Sequence, residues 1–254
     1  MSKAKRKKFS FLGFLTLLIL VALGAGSFYV AKLWVSMPDP VLPTVSVQEG
    51  KQSHTVFCGP VLCEDPNAAP RIPVALTDVS PNMVKAILAA EDRRYLEHNG
   101  IDVHGVIRAT LDNLKDWHFG EGASTISQQL AKNLYLDQRV RNARRKLKQI
   151  ILAVRLEQQY TKEQILESYL NEIYFGRGAY GIGSAAQSYF HEKAIDLSVG
   201  QSAFLAAVVK APSVLGAPEN HEQALARQHD IIENMREYGF IKDDAARKAL
   251  AEKI

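Results

Sequence analysis

The run Glu91-Asp92-Arg93-Arg94-Tyr95, followed by His98 and Gly100-Ile101-Asp102, sets carboxylates against guanidiniums at one place in the chain. A second run, Gly122-Ala123-Ser124-Thr125-Ile126-Ser127-Gln128-Gln129-Leu130-Ala131-Lys132-Asn133, is dense in hydroxyls and amides and carries a lysine. Arg145-Lys146 comes next, then Tyr169-Leu170-Asn171-Glu172-Ile173-Tyr174-Phe175-Gly176. These groups suit the activation of a sugar hydroxyl beside a phosphorylated donor. Such a transfer needs a general base within hydrogen-bond reach of the attacking hydroxyl. It also needs donors that take up the charge growing on the departing phosphates. Glu91 suits the first task, and Lys132, Arg145 and Lys146 suit the second. Alone, Glu91-Asp92-Arg93-Arg94 would read as a solvated helix end, the usual fate of charged residues. Four runs in this order argue for a site.

The elements that must position these residues are mainly helical. Ser80-Pro81 supplies an N-cap and a first-turn proline, and Met83, Ile87 and Leu88 share a face of the helix that delivers Glu91 near its end. Asp102 caps a second helix with Val106, Ile107, Leu111 and Leu114. Trp117, Phe119, Gly120 and Gly122 then break the period, which predicts a mobile segment up to Asn142. Helix resumes at about Arg144, where Leu147, Ile150, Ile151 and Val154 form one apolar stripe and Leu152 and Leu156 add apolar surface elsewhere, so this helix is expected to be central. Thr161 with Gln164, and Ser198 with Gln201, fit capping boxes. Asn220 opens a helix that should end before Gly239. At Leu166, Tyr169, Leu170 and Ile173 the spacing marks a core stripe, with Asn171 the polar exception that would order backbone at the site.

The chain has 254 residues, 47% of them hydrophobic and 23% charged, which suits one sizeable domain with appendages. Its net charge of +4 is modest, and Lys3, Lys5, Arg6, Lys7 and Lys8 supply part of it, so nucleic acid is not an expected partner. No charge occurs from Phe9 to Ala31, a stretch long enough at helical rise to cross a hydrocarbon core of about 30 Å. With the basic cluster ahead of it, this reads as a transmembrane helix whose N-terminus stays cytoplasmic. The rival is a cleaved signal peptide, for which Ala22-Leu23-Gly24-Ala25-Gly26 offers small residues. Between Ser36 and Pro73 eight prolines and glycines interrupt the chain, with short β-branched stretches such as Thr44-Val45-Ser46-Val47 suited to edge strands. Cys58 and Cys63 fall on the external side, where a disulfide and two free thiols are equally open readings. With His54 they match no standard zinc pattern, and no metal ligands are expected.

Taken together the four runs, spanning Glu91 to Lys193, resemble the bacterial peptidoglycan glycosyltransferases (glycosyltransferase family 51), over about Pro73 to the C-terminus. The run from Ser124 to Asn133 is the most specific of them. The resemblance implies a mainly α, lysozyme-like, two-lobed glycosyltransferase domain behind one N-terminal transmembrane helix. It divides the chain into a basic cytoplasmic tail (1–8), the transmembrane helix (9–33), an extracytoplasmic linker (34–72) and the catalytic domain (73–254). It implies polymerisation of lipid II into β-1,4-linked glycan strands with inversion at the donor sugar and release of undecaprenyl diphosphate. Glu91 corresponds to the family's general base. Asp92, Arg93, Ser124, Thr125, Gln128, Gln129, Lys132, Asn133, Arg145, Lys146 and Asn171 fall at substrate-binding positions. The expected partners are the lipid II donor, the growing glycan strand, the cytoplasmic membrane, and proteins of cell-wall synthesis or division. The catalytic domain would lie outside the inner membrane, with the segment around Leu111, Leu114, Trp117 and Phe119 forming a small lobe that dips into the bilayer. The chain stops at Ile254, so cross-linking by a transpeptidase domain is not expected of this polypeptide.

One position departs from the family. Its third motif reads Arg-Lys-x-x-Glu, and here Arg145-Lys146-Leu147-Lys148-Gln149 ends in an amide. Helical spacing puts Gln149 on the face of Arg145 and Lys146, so it is expected to look into the donor site as a second catalytic position. An amide keeps the shape and loses the charge. It is a weaker partner for a divalent cation such as Mg²⁺, which the diphosphate would accept, and it cannot exchange a proton. Glu157, two turns along, is not expected to compensate. The rival readings are therefore an impaired lipid II-binding or scaffold homologue, supported by Gln149, and a lysozyme-type hydrolase. The hydrolase is disfavoured because neutral sugar does not need so cationic a site.

Overall fold

The computed structural model describes residues 11–43, 55–57, 62–64, 71–116, 124–137, 140 and 142–254, with the side chains of 11–23, 55–57, 62–64 and 110–116 outside the description. Its contacts divide it into Met1–Asp39 and Pro40–Ile254. The first unit holds helix α1 (Phe11–Ser36). Among the residues whose side chains are described, no helix is long and apolar enough to cross a membrane, and residues 11–23 of α1 lie outside them.

The second unit is mainly helical. Its one sheet among the described residues is an antiparallel hairpin of β1 (Thr55–Phe57) and β2 (Leu62–Glu64), in register Thr55 with Glu64 and Phe57 with Leu62. Thr44 to Val47, Cys58, and hence any Cys58–Cys63 bridge, lie outside the described residues, as do Trp117, Phe119 and the side chains of Leu111 and Leu114.

Helix α2 (Pro81–Glu91) starts as its sequence predicts, with Ser80 as N-cap accepting from Asn82 N and Pro81 in the first turn. Met83 and Ile87 are fully buried, whereas Leu88 is only half-buried. Next come α3 (Val103–Asp116), α4 (Ile126–Tyr135), α5 (Ala143–Gln159) and α6 (Lys162–Glu172). The capping box of Thr161 and Gln164 opens α6. Beyond them lie α7 (Ile182–Phe190), α8 (Val199–Val209) with its Ser198–Gln201 box, the single turn α9 (Pro212–Leu215), α10 (His221–Glu237) and α11 (Asp243–Leu250). Helix α10 ends before Gly239, whose φ of 73° is the left-handed conformation that stops a helix.

Two expectations are corrected. The segment predicted to be mobile contains α4, a ten-residue helix with Ile126, Leu130, Ala131 and Leu134 buried at helical spacing. Its start is capped by Thr125, and the hydroxyls and amides interleaved with the stripe disguised it. The central helix is α8 rather than α5. Ala203 to Val208 are all buried, so α8 is apolar on every side, as a helix enclosed by others must be. Helix α5 buries Gln149, Ile151, Leu152, Ala153 and Leu156 against α4 and α6, leaving Leu147, Ile150 and Val154 half-exposed. Its core face is thus rotated towards the residues that were expected to lie elsewhere.

Candidate active site

Glu91 is the last helical residue of α2, because Asp92 leaves the helix at φ −160°, ψ 73°. The break turns the two neighbouring carboxylates to different tasks. Asp92, buried, accepts from the backbone N–H of Ile126 at the start of α4 (3.0 Å), and both its oxygens lie 3.0 Å from His98 Nε2. A carboxylate at a helix N-terminus is favoured by the unpaired N–H groups there. Thr125 completes that terminus, accepting from Gln128 N and donating to Gly100 O at 2.8 Å. Gly100 has φ 88°, and a Cβ there would stand 2.9 Å from the Ala153 carbonyl of α5, so the turn needs glycine.

Glu91 stays available. Its Oε2 accepts from Gln129 Nε2 of α4 at 2.7 Å, and Gln129 Oε1 accepts in turn from Tyr169 O–H at 3.2 Å. Burial raises the Glu91 pKa above the ordinary 4.5, opposed by the Gln129 hydrogen bond and by the charges of Arg227, Lys210 and Lys132. Desolvation outweighing cations is the state expected of a carboxylate kept as a proton acceptor. Tyr169, buried in the predicted stripe, is held protonated by burial and by Glu91 and Asp92.

Glu91, Asp92, Arg93, Ser124 and Thr125 line a cavity of about 200 Å³. Beside it, Lys146 Nζ donates to Ser124 Oγ (2.8 Å) and Gln128 Oε1 (2.9 Å), joining α5 to α4. Burial, then Arg145 and Lys132, lower the Lys146 pKa, so three cations crowd one place. The Nε atoms of Arg145 and Arg227 are enclosed and have no hydrogen-bond partner among the described residues. Asn133 is half-buried on α4. Behind Asp92 runs a further network: Lys162 Nζ donates to His98 O (2.6 Å) and pairs with Glu157 (2.8 Å), which also accepts from Ser127 Oγ. Glu157 is thereby engaged by Ser127 and Lys162.

Of the candidate residues only Glu91, Asp92, Arg93, Ser124 and Thr125 line the cavity itself; Gln129 and Lys146 reach it through their bonds to Glu91 and Ser124, Gln128 through its bond to Lys146, and Gln149 and Asn171 are turned to other partners. Gln149, 4% exposed, is packed between helices and donates to the main-chain O of Gln128 at 2.9 Å. Asn171 clamps an extended segment instead, accepting from Val74 N (2.9 Å) and donating to Val74 O (2.8 Å). Conversely, sequence reasoning missed Lys210 and Arg227, whose charges reach Glu91, and Arg108, Asn234 and Tyr238, which line the cavity. Arg93 stacks over Tyr238 at 5.0 Å. Nothing local marks these residues: Arg108 comes from α3, and Lys210, Arg227, Asn234 and Tyr238 reach the site because α8 and α10 pack against α2.

A family profile described as "Transglycosylase" matches residues 61–236. This chain belongs to the transglycosylase family. That membership makes it a glycosyltransferase of the peptidoglycan-synthesising family, as its motifs imply. Among curated relatives it is 40% identical over 224 residues to Penicillin-binding protein 1A of Escherichia coli (strain K12), covering 87% of this chain and 26% of the relative. It is 40% identical over 184 residues to Penicillin-binding protein 4 of Bacillus subtilis (strain 168), covering 72% and 29%. The chain thus spans about a quarter of the length of these curated transglycosylase relatives. The crystal structure of Penicillin-Binding Protein 1A from Haemophilus influenzae aligns with a TM-score of 0.45 at 23% identity, covering 76% of this chain and 19% of that one.

Proposed function

We propose that this transglycosylase polymerises lipid II into β-1,4-linked glycan strands, with Glu91 as the general base. The acceptor hydroxyl loses its proton to Glu91 as its oxygen bonds to the anomeric carbon of the donor sugar. The bond from that carbon to the phosphate oxygen breaks on the opposite face, so the centre inverts and undecaprenyl diphosphate leaves. Lys132, Arg145 and Lys146 take up the charge on the departing diphosphate. The observation that carries this reading is Glu91 itself, buried enough to favour the proton, open to the cavity, and faced by cations from α4, α10 and the end of α8. The guanidiniums of Arg145 and Arg227, whose Nε atoms have no hydrogen-bond partner among the described residues, are donors of the kind that suits phosphate oxygens.

The described residues do not form a site for a divalent cation. Hard cations take several oxygen ligands, yet Asp92 is engaged by His98 and Ile126 N, and the amide of Gln149 presents a donor to Gln128. The lysozyme-like two-lobed arrangement, the anchor over residues 9–33 and an extracytoplasmic catalytic domain belong to the same proposal. Exposed Val103, Val106 and Ile107 on α3 give the domain an apolar surface suited to lie near lipid.

Incubating the purified full chain with labelled lipid II tests this: polymer is expected, and its absence with lipid II still bound would favour the second reading, a catalytically quiet lipid II-binding homologue. The observation on that side is the amide at position 149.

A further inference from the structure

The structure gives Gln149 a defined partner. One residue of α4, Gln128, is gripped from α5 twice: its main-chain O accepts from Gln149 Nε2 at 2.9 Å, and its side-chain O accepts from Lys146 Nζ at 2.9 Å. Its own amide donates to Gly100 O at 3.2 Å, and the adjacent Gln129 donates to Glu91 at 2.7 Å. Gln128 and Gln149 are 2% and 4% exposed, so water does not substitute readily for either partner. We propose that Gln149 is a positioning residue, an amide donor that fixes the height of α4 on α5 and thereby holds Gln129 against Glu91, and that this site requires a donor at 149 rather than a charge.

The physical reason is the partner. A backbone carbonyl needs an N–H or O–H facing it, and an ionised carboxylate has neither. Set against Gln128 O, a carboxylate would bring acceptor oxygens to about 3 Å with nothing between them. Its relief is Lys146, one turn back on the same helix face. Taking it draws that ammonium away from Ser124 and Gln128. Either way at least one of the two grips on α4 is lost, whereas glutamine keeps both.

The inference rests on Glu91 as the base, so its test includes a readout that needs no turnover. Gln149→Met and Gln149→Glu would be compared with the parent chain by circular dichroism, by amide hydrogen exchange across α4, and by polymerisation of labelled lipid II against pH. We expect α4 amides to exchange roughly 10-fold faster in both variants, and kcat to fall roughly 10- to 100-fold with KM little changed. In Gln149→Met the acid limb of the pH profile should move upward. The Gln129 hydrogen bond lowers the Glu91 pKa, and its slackening leaves Arg227, Lys210 and Lys132 facing the carboxylate as before. Gln149→Asn, which draws the donor back by one methylene, carries the same tests should Gln149→Met not fold. Unchanged α4 exchange in Gln149→Met, or a kcat above the parent's in Gln149→Glu, would overturn the proposal. A parent that makes no polymer, with α4 exchange still raised in the variants, would sustain the positioning and sink the assignment of the base.

Discussion

Helices α4 and α8 are both largely buried, yet they are buried in different ways. Helix α8 is enclosed by side-chain volume: Ala203, Phe204, Leu205, Ala206, Ala207 and Val208 pack on α2 and α10, and the buried Ser202 Oγ has no hydrogen-bond partner among the described residues. In α4 the buried Ile126, Leu130 and Leu134 alternate with Ser127 and Gln128, and those polar side chains bond to Glu157, Gly100 and Lys146. Both helices act on α2. The dry one fixes where α2 lies, because close-packed side chains leave it no other position. The wired one fixes what its last residue meets, through Gln129 on Glu91 and Ile126 N–H on Asp92. A buried polar network is costly unless complete, so its presence in α4 marks where the fold serves chemistry rather than stability.

The largest expected effect is at the point where the two helices converge. Glu91→Gln keeps the shape and the Gln129 contact but removes the base, and polymerisation should fall roughly 10²–10⁴-fold. Stability should move the other way. Because the folded pKa of Glu91 is raised, its contribution to stability is full below about 4.5 and is lost as pH rises through the folded value. At pH 7 the substitution removes that cost, so Tm should rise. For the same reason the acid limb of parental activity should lie above the ordinary carboxylate range. Parental rates in Glu91→Gln would remove Glu91 from the mechanism.

Phe204→Ala attacks the dry helix. Phe204 is 2% exposed and packs edge-on to Tyr189 and Phe190, with centroids 6.0 and 6.2 Å away. The loss should be about 3–5 kcal/mol, lowering Tm on the order of 10 °C. Well below Tm, kcat should be near the parent's. A selective fall in kcat with little loss of Tm would mean that α8 does more than fill space.

The contrast explains what could be read from the residues. Caps are local, so Ser80-Pro81, the two capping boxes and the end of α10 before Gly239 were all legible. The motif residues Glu91, Asp92, Arg93, Ser124, Thr125, Gln128, Gln129 and Lys146 do meet, although only their order hinted at it. Helix α4 was missed because its apolar stripe is diluted by the polar residues that make it useful. Lys210, Arg227 and Tyr238 were missed for another reason: their place at the site is a property of packing between α2, α8 and α10, which no local pattern records.

Lys162→Met cuts the network behind Asp92. It removes the donor to His98 O (2.6 Å) and leaves Glu157, whose side chain is 3% exposed, with a single partner in Ser127. An unsatisfied buried acceptor costs about 1–3 kcal/mol. In a wired region the rate should follow, with kcat falling several-fold, KM steady, and Lys162→Arg recovering part of it. A lower Tm with parental kcat would show that the network is structural only.

The smallest effects sharpen the comparison most, because they come from the same local device at the head of each helix. Ser198 caps α8, accepting from Gln201 N at 3.0 Å, and Thr125 caps α4, accepting from Gln128 N at 3.2 Å. Loss of either oxygen should cost about 1 kcal/mol. Their surroundings differ. Ser198 also donates to Glu252, and neither of them lines the cavity, whereas Thr125 lines it and donates to Gly100 O. Ser198→Ala should therefore lower Tm by a few degrees and leave kcat alone. Thr125→Ala should lower Tm by a similar amount and reduce kcat as well, since the start of α4 carries the N–H that holds Asp92. Equal kcat values in the two variants, measured at a temperature where both are folded, would mean that the wiring of α4 has no bearing on turnover.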